Sequence, residues 1–324
     1  MAHEIDSSTG VPAIAYVGKK PWHKLGEKLP EDQPIETWLN AARLQWQLER
    51  LPVQYLVDGS LQTMDDRYVL VRNDTQAALS VVSGDYHIVQ PKEVLEFYRD
   101  LVELYGYRLD TAGALDGGRK VWALAKTGMT ATVDERKEDR VSAYLLLATS
   151  CDKTLATTAA FTSIRVVCQN TLFFAMEDIK TERRSQVKVP HNLRFDAGVV
   201  KKRLGLLDKA WSGFIAKVRQ MASRSMKADE ASSFFEDLLV QKSGTALSKK
   251  AQSEHGTIMG LFRSSPGQNL SSTKETLWGA VNAVTYYADH VRSGAGIDRL
   301  DSAWFGAGYG LKEKAWVNAS RLVS

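Results

Sequence analysis

Apolar and polar residues alternate from Trp46 to Gln90, "WQLERLPVQYLVDGSLQTMDDRYVLVRNDTQAALSVVSGDYHIVQ", with breaks at Asp58-Gly59, Asn73-Asp74 and Gly84-Asp85. Alternation puts successive side chains on opposite faces, and the breaks are turn chemistry, so the stretch predicts a meander of short antiparallel strands. From Pro91 the period changes. "PKEVLEFYRDLVELYG" carries Val94, Leu95, Phe97, Tyr98, Leu101, Val102 and Tyr105 on one helical face, with proline in the first turn and Gly106 as the stop. A shorter helix is expected over 34–44, "PIETWLNAARL", for the same reasons.

Strand-like text returns in "YRLDTAGALDGGRKVWALAKT", a hairpin turning on Asp116-Gly117-Gly118, and in "VSAYLLLATS" and "LATTAAFTSIRVVCQNTLFFA". The last of these is expected to pass into a helix near Gln169. The charged run "DERKEDR" between the two pairs of strands reads as a solvated loop. After Pro190 the period is helical, as in "AGVVKKRLGLLDKAWSGFIAKVRQMA" and "LWGAVNAVTYYADHVR". The expected architecture is α+β: an antiparallel sheet packed with an amphipathic helix over residues 1–195, then a mainly helical part over 196–324. No internal repeat is visible.

Composition places the chain among ordinary globular proteins, with 44% hydrophobic and 25% charged residues in 324. No run reaches the roughly 20 apolar residues of a membrane span, and "MAHEIDSSTGVPAIAYVG" lacks the basic start and apolar segment of a leader. The expectation is a cytoplasmic protein with no membrane partner. Cys151 and Cys168 are too few and too far apart for a disulfide scaffold or a CxxC site, and both read as reduced and buried. The six histidines form no HExxH or HxH, so no metal and no cofactor is expected from local spacing.

The net charge of +4 is unevenly spread. Between Lys180 and Lys227 thirteen basic residues face three acidic ones, a local net charge of +10. Such a segment attracts polyanions, although lysine- and arginine-rich helical faces also serve solubility alone.

The stretch "FTSIRVVCQNTLFFAM", Phe161 to Met176, sets Arg165, Gln169 and Asn170 into strand-like text. Alternation groups Arg165, Val167 and Gln169 on one face and Ile164, Val166 and Cys168 on the other. Two readings stand for the polar face. Arg165 pairs with a carboxylate and Gln169-Asn170 cap a helix, or Arg165 with Thr157 and Thr162 offers donors to a phosphate backbone.

"RVVCQNTL" (Arg165 to Leu172), together with "PWHKLG" (Pro21 to Gly26), "DYHIVQ" (Asp85 to Gln90), "TAGALDGGRKVWALAK" (Thr111 to Lys126) and "SAWFGAGYGLKEKA" (Ser302 to Ala315), resembles the phage/plasmid-like protein family. The resemblance runs in order over roughly Pro21 to Ala315 and implies a domain of unknown function carried by phages, prophages and plasmids. Members of that family often have a Ser-His-Asp-Gly-Ser-like turn before the Arg-Val-Val-Cys strand. Here the corresponding text is "TSCDKTL", Thr149 to Leu155, which keeps Asp152 but not the histidine or the glycine.

The order of elements also resembles that of single-strand annealing proteins, a likeness of layout and genetic setting rather than of motif. It implies sequence-independent binding of single-stranded DNA and strand annealing by a homo-oligomer, without nucleotide hydrolysis. A basic groove that tracks phosphates and leaves base edges free is the physical requirement. Arg119, Lys120, Arg165, Arg183, Arg184, Lys188, Lys201, Lys202 and Arg203 are the candidate DNA-binding residues, and Trp122, Tyr144 and Phe161, with Trp211 and Phe214, the aromatics within reach for stacking, unless they belong to the core.

Other classes have weaker signals. Cys168, His87 and Asp152 compose a catalytic trio on paper, but a thiol on an apolar strand face is not activated. "GAGYG", Gly306 to Gly310, lacks the Gly-Lys-Ser/Thr of a phosphate loop and reads as a tight turn or close helix contact. "NAVTYYADHVR" reads as a packed helix with one polar edge. A protein-interaction module, acting on a host defence or on replication of the element, is the alternative to DNA binding. A metal-dependent nuclease requires Asp85, Asp110, Asp116 and Asp152 to converge.

Overall fold

The computed structural model describes residues 4–21, 24–134, 136, 138–165, 171–173, 177–178, 183–184, 186–204, 207–240, 247–292 and 299–323. In chain order these form β1 (Ile14–Val17), β2 (Glu27–Leu29), α1 (Ile35–Ala41), β3 (Leu48–Val57), β4 (Ser60–Arg72), β5 (Ala78–Ser83), α2 (Pro91–Glu96), α3 (Arg99–Tyr105), β6 (Arg108–Leu115), β7 (Lys120–Thr132), β8 (Arg140–Ser150) and β9 (Thr157–Arg165). Then follow β10 (Thr171–Phe173), β11 (Glu177–Asp178), β12 (Arg183–Arg184), β13 (Gln186–Val189), α4 (Ala197–Arg203), α5 (Leu207–Ser223), α6 (Ala228–Leu239), α7 (Lys249–Ser264), α8 (Leu277–Tyr286), a π-helical turn (Tyr287–Val291), α9 (Arg299–Trp304) and α10 (Ala307–Arg321). The class is α+β, with the helices of the C-terminal part following antiparallel sheets.

The main sheet runs β10-β9-β8-β7-β6-β1-β2, and β13 shares the outer edge of β9 with β10. All pairs are antiparallel except β1 with β2. The expected hairpin at Asp116-Gly117-Gly118 joins β6 to β7. The centres of β7 and β8, residues 121–125 and 143–148, are apolar at every position because both faces of the sheet are covered there. Val121, Ala123, Ala125, Ala143, Leu145 and Leu147 face the larger core with Trp38, Leu95, Phe97 and Tyr98. Trp122, Leu124, Tyr144, Leu146 and Ala148 face a smaller cluster with Ile5, Ile14, Trp304 and Phe305.

The meander is β3-β4-β5, a separate three-stranded sheet. Its turn at Asp58-Gly59 has positive φ at both residues, 46° and 79°, as a tight two-residue hairpin requires. β5 pairs with β4 only over Arg67–Val71, so from Pro52 to Asp66 the hairpin projects as a two-stranded arm.

The helix expected from Pro91 to Gly106 is interrupted. α2 begins with the Gln90–Glu93 capping box and ends at Glu96, α3 starts at Arg99, and Gly106 closes it in the left-handed region. The interruption falls where Phe97 and Tyr98 are both fully buried. The Tyr98 hydroxyl lies 2.8 Å from the Ala123 carbonyl and 3.0 Å from that of Leu145, a fit that consecutive turns of one straight helix do not supply.

Two more expectations are corrected. Gln169 and Asn170 lie outside the described residues, but Thr171–Phe173 directly after them is a strand on β9, not a helix start. The run "DERKEDR" is not wholly solvated either. Asp139 is fully buried, accepting from the Ser272 hydroxyl at 2.7 Å and the Trp278 indole N–H at 3.2 Å. Hydrogen-bond partners make that burial tolerable, and they tie the start of β8 to the turn before α8.

Further contacts join the residues before and after 195. Lys120 pairs with Asp301 at 2.5 Å, Arg219 donates to the Thr132 carbonyl, and the Trp122 and Trp304 rings meet edge to face at 5.2 Å. Within the helices, Lys312 of α10 and Asp289 of the π turn form a buried ion pair of 2.6 Å, and burial lowers the lysine pKa while Asp289 works against that fall. In "GAGYG" the close contact expected is at Gly308, where a Cβ would stand 2.8 Å from the Ser302 carbonyl oxygen, while Gly310 is open.

Candidate nucleic-acid interface

β13 alternates in the way its sequence dictates, burying Val187 and exposing Lys188. Pro190 ends the strand, and a turn closed by the Leu193 amide on the Pro190 carbonyl leads past Arg194 to α4. Asp196 caps α4, its Oδ1 accepting from the Val199 amide at 3.0 Å. α4 buries Val200 and exposes Val199, Lys202 and Arg203, which share one face at i, i+3 and i+4. Lys201 points elsewhere, onto Asp100 and over the Phe97 ring at 5.0 Å.

α4 packs against β12, whose two residues are Arg183 and Arg184. The fold thus gathers two basic groups that are about twenty residues apart in sequence, with Lys188 and Arg194 between them on the connecting chain. The side chains of Arg183 and Arg184 lie outside the described residues. Lys188, Arg194, Lys202 and Arg203 are exposed, and none is in an ion pair among the described residues. Basic residues in the last turn of α4 also complement the helix dipole, which contributes typically 0.3–1 kcal/mol each and is screened by salt.

Beside this surface an open concavity of about 330 Å³ is lined by Asp85, Tyr86, Lys153, Pro190, His191 and Asn192, among others. The His191 ring stacks on Tyr86, centroids 4.6 Å apart and planes at 13°, and its nitrogens reach the carbonyls of His87 and Leu155. The His87 amide donates in turn to the His191 carbonyl at 2.6 Å. "DYHIVQ" and "TSCDKTL" therefore meet at the foot of β13. A hydrogen bond from Ser83 holds the Asp85 carboxyl below its ordinary range. Burial would raise Asp152, but hydrogen bonds from Thr154 bring it below that range.

The remaining candidates are placed apart. Arg119 pairs with Asp116 and donates to the Leu79 carbonyl, and Lys120 is tied to Asp301, both at the β6–β7 hairpin. Lys120 is three strand spacings from Lys188, roughly 14 Å. The backbone of Arg165 pairs with Val141 on β8, and its side chain lies outside the described residues. Trp122, Tyr144 and Phe161 are 3%, 7% and 3% exposed, their faces taken by the two cores, so stacking on a base is not available to them in this conformation. Trp211 and Phe214 are likewise buried and stack on each other.

Residues that the sequence did not single out for this surface are Leu193, Arg194 and Val199, with His191, Lys153 and Asn192 at the concavity. Their signal was their place between two basic clusters, readable only once β12 and α4 are known to pack together.

For catalysis the arrangement offers little. Burial and the neighbouring Asp152 charge push the Cys151 thiol up to about 12, far from a thiolate at neutral pH, and Cys168 lies outside the described residues. Asp110 pairs with Lys126, Asp116 with Arg119, and Asp152 caps its own turn through Thr154. Among the described residues no three His, Cys, Asp or Glu side chains group as a metal site, and no helix is long and apolar enough to cross a membrane.

No curated protein and no solved structure matches the chain. One family does match, over residues 78–304, a span that takes in β5 to α9 and with them the whole basic surface, its concavity and the main sheet's antiparallel core. By that match the chain belongs to the family described as domain of unknown function DUF932.

Proposed function

We propose that the chain binds single-stranded DNA without sequence preference, through the phosphate backbone, and promotes annealing of complementary strands as a non-enzymatic homo-oligomer in the cytoplasm. The observation that carries this reading is the convergence of β12 and α4, which brings Arg183 and Arg184 beside an exposed surface with Lys188, Arg194, Lys202 and Arg203. Phosphate contacts of this kind fix position without reading sequence, which suits a protein that must leave base edges open to a complement. The resemblance to proteins of phages and plasmids, whose replication exposes single strands, supports the same reading. Arg119, Lys120, Trp122, Tyr144 and Phe161 are left out of the interface because their contacts are already taken.

Fluorescence anisotropy with single-stranded and duplex oligonucleotides across a salt series tests it. Each phosphate contact on a single strand contributes about −0.7 to the slope of log K against log salt, so Lys202→Ala/Arg203→Ala is expected to flatten the slope by about 1.4, and Arg183→Ala/Arg184→Ala by a similar amount. Arg119→Ala, already paired, is expected to leave it unchanged. No salt-dependent affinity for single strands at low ionic strength overturns the proposal.

One observation favours the second reading, a protein-interaction module. The arm of β3 and β4 exposes large apolar side chains that nucleic-acid binding does not use.

A further inference from the structure

The arm is anomalous as a free structure. Between Pro52 and Asp66 it carries Tyr55, Leu56, Val57, Leu61 and Met64, all exposed, with Leu56 at 72% and Leu61 at 60%. Cross-strand register sets Leu56 against Leu61 on one face, while Tyr55 and Val57 stand opposite Gln62 and Ser60 on the other, where alternation also puts Met64. Both faces are therefore apolar. A two-stranded ribbon with no cover is marginal in water.

Its charge is one-sided as well. The same fifteen residues contain Asp58, Asp65 and Asp66 and no lysine or arginine. Asp66 pairs with the following Arg67, while Asp58 and Asp65 are in no ion pair among the described residues. Arm-to-arm pairing would bring like charges together. What the arm complements is a surface that is apolar and basic at once, and the chain has one. On the β13–α4 segment Leu193 is 58% exposed and Val199 47%, interleaved with Arg194, Lys202 and Arg203.

We propose that the β3–β4 arm docks on the Leu193–Arg203 surface of a second copy of this chain. Leu56 and Leu61 cover Leu193 and Val199, and Asp58 and Asp65 face Arg194, Lys202 and Arg203. The exchange is reciprocal in a two-fold dimer, or runs head to tail in a chain of copies. It gives Val199 and Leu193 a role that phosphate binding does not require.

Analytical ultracentrifugation of the full chain in nucleic-acid-free buffer tests the docking by itself. The wild type is expected to self-associate as concentration rises. Leu56→Ser/Leu61→Ser is expected to remain monomeric with unchanged circular dichroism. Lys202→Glu/Arg203→Glu is expected to weaken association by more than about tenfold, and adding Asp58→Lys/Asp65→Lys to that variant to restore it. A wild type that stays monomeric up to its solubility limit overturns the proposal. So does an association that survives the arm substitutions, or one that the charge exchange fails to restore. Failure of oligo-dT to bind at all would count against DNA binding and leave the docking result standing.

Discussion

Alanine at Gly279 is expected to cost about 3 kcal/mol or more, at or beyond the top of the usual range for overpacking. A Cβ built there stands 1.9 Å from the Thr273 carbonyl oxygen and 2.9 Å from its carbon, with Gln268 Oε1 at 3.0 Å. The obstacle is backbone, and it is itself held. Thr273 donates to the Gly267 carbonyl, Gln268 donates to the Gly279 carbonyl, and Thr276 caps α8 through the Gly279 amide. Relief needs a shift of the turn that also supplies Ser272 to Asp139. Helix propensity alone argues the reverse, since alanine in a helix interior is favoured over glycine by about 1 kcal/mol. Gly310 of α10 is the control, for nothing lies within 4 Å of its added Cβ, and Gly310→Ala is expected to stabilise by about 0.5–1 kcal/mol. Urea unfolding of both variants decides the matter. A Gly279→Ala protein within about 1 kcal/mol of wild type would mean that the turn before α8 yields more readily than its hydrogen bonds imply.

Much of the fold was legible because the signals were local. Asp58-Gly59 and Asp116-Gly117-Gly118 are turns wherever they stand between alternating segments, and Pro91 and Gly106 bracket helix in any context. What was not legible depended on tertiary partners. Periodicity ran unbroken through Phe97 and Tyr98, although α3 only half-buries Leu101 and Val102 and leaves Tyr105 exposed, and the interruption falls where the Tyr98 hydroxyl meets the β7 and β8 carbonyls. Asp139 looked solvated because its partners, Ser272 and Trp278, are more than 130 residues away.

For the site the limits were similar. "VWALA" and "AYLLLA" are apolar at every position, which is the mark of strands covered on both faces and assigns Trp122 and Tyr144 to the core. Lys120 beside a hairpin gave no hint of Asp301, 181 residues on. The basic segment was plain in the sequence, whereas its focus on α4 and β12 required the fold. The arm was visible as strands but not as exposed ones, although apolar residues on both of its faces were already unusual for an outer hairpin.

Arg72→Met is the second substitution expected to cost most, about 3–5 kcal/mol. Arg72 is 1% exposed at the end of β4, opposite Leu48 and away from the arm. Its guanidinium pairs with Asp6 at 2.5 Å and Asp74 at 2.7 Å, donates to the Gly117 carbonyl at 2.9 Å and stacks on Trp46 at 4.2 Å. Methionine keeps the apolar stem and removes the charge, leaving the Asp6 carboxylate, 3% exposed, without its cation. The pH dependence separates a lost charge from lost packing. Burial alone would raise the Asp6 carboxyl, but Ser8 and Arg72 together hold it below its ordinary value of 3.8. The folded state thus binds the proton less readily than the unfolded chain. The pair's contribution is complete above that ordinary value and is lost as pH falls through the lower folded one. In Arg72→Met Asp6 loses the Arg72 hydrogen bond and charge that help to lower its pKa, so the folded state takes up the proton more readily than in the wild type, and protonation relieves part of the penalty. The stability gap between wild type and variant should therefore narrow as pH falls through the carboxylate range. Urea titrations at several pH values measure it, with Asp6→Asn as the variant that removes the charge from the other side. A gap constant with pH would show that Arg72 holds the end of β4 by shape and stacking on Trp46, not by its charge.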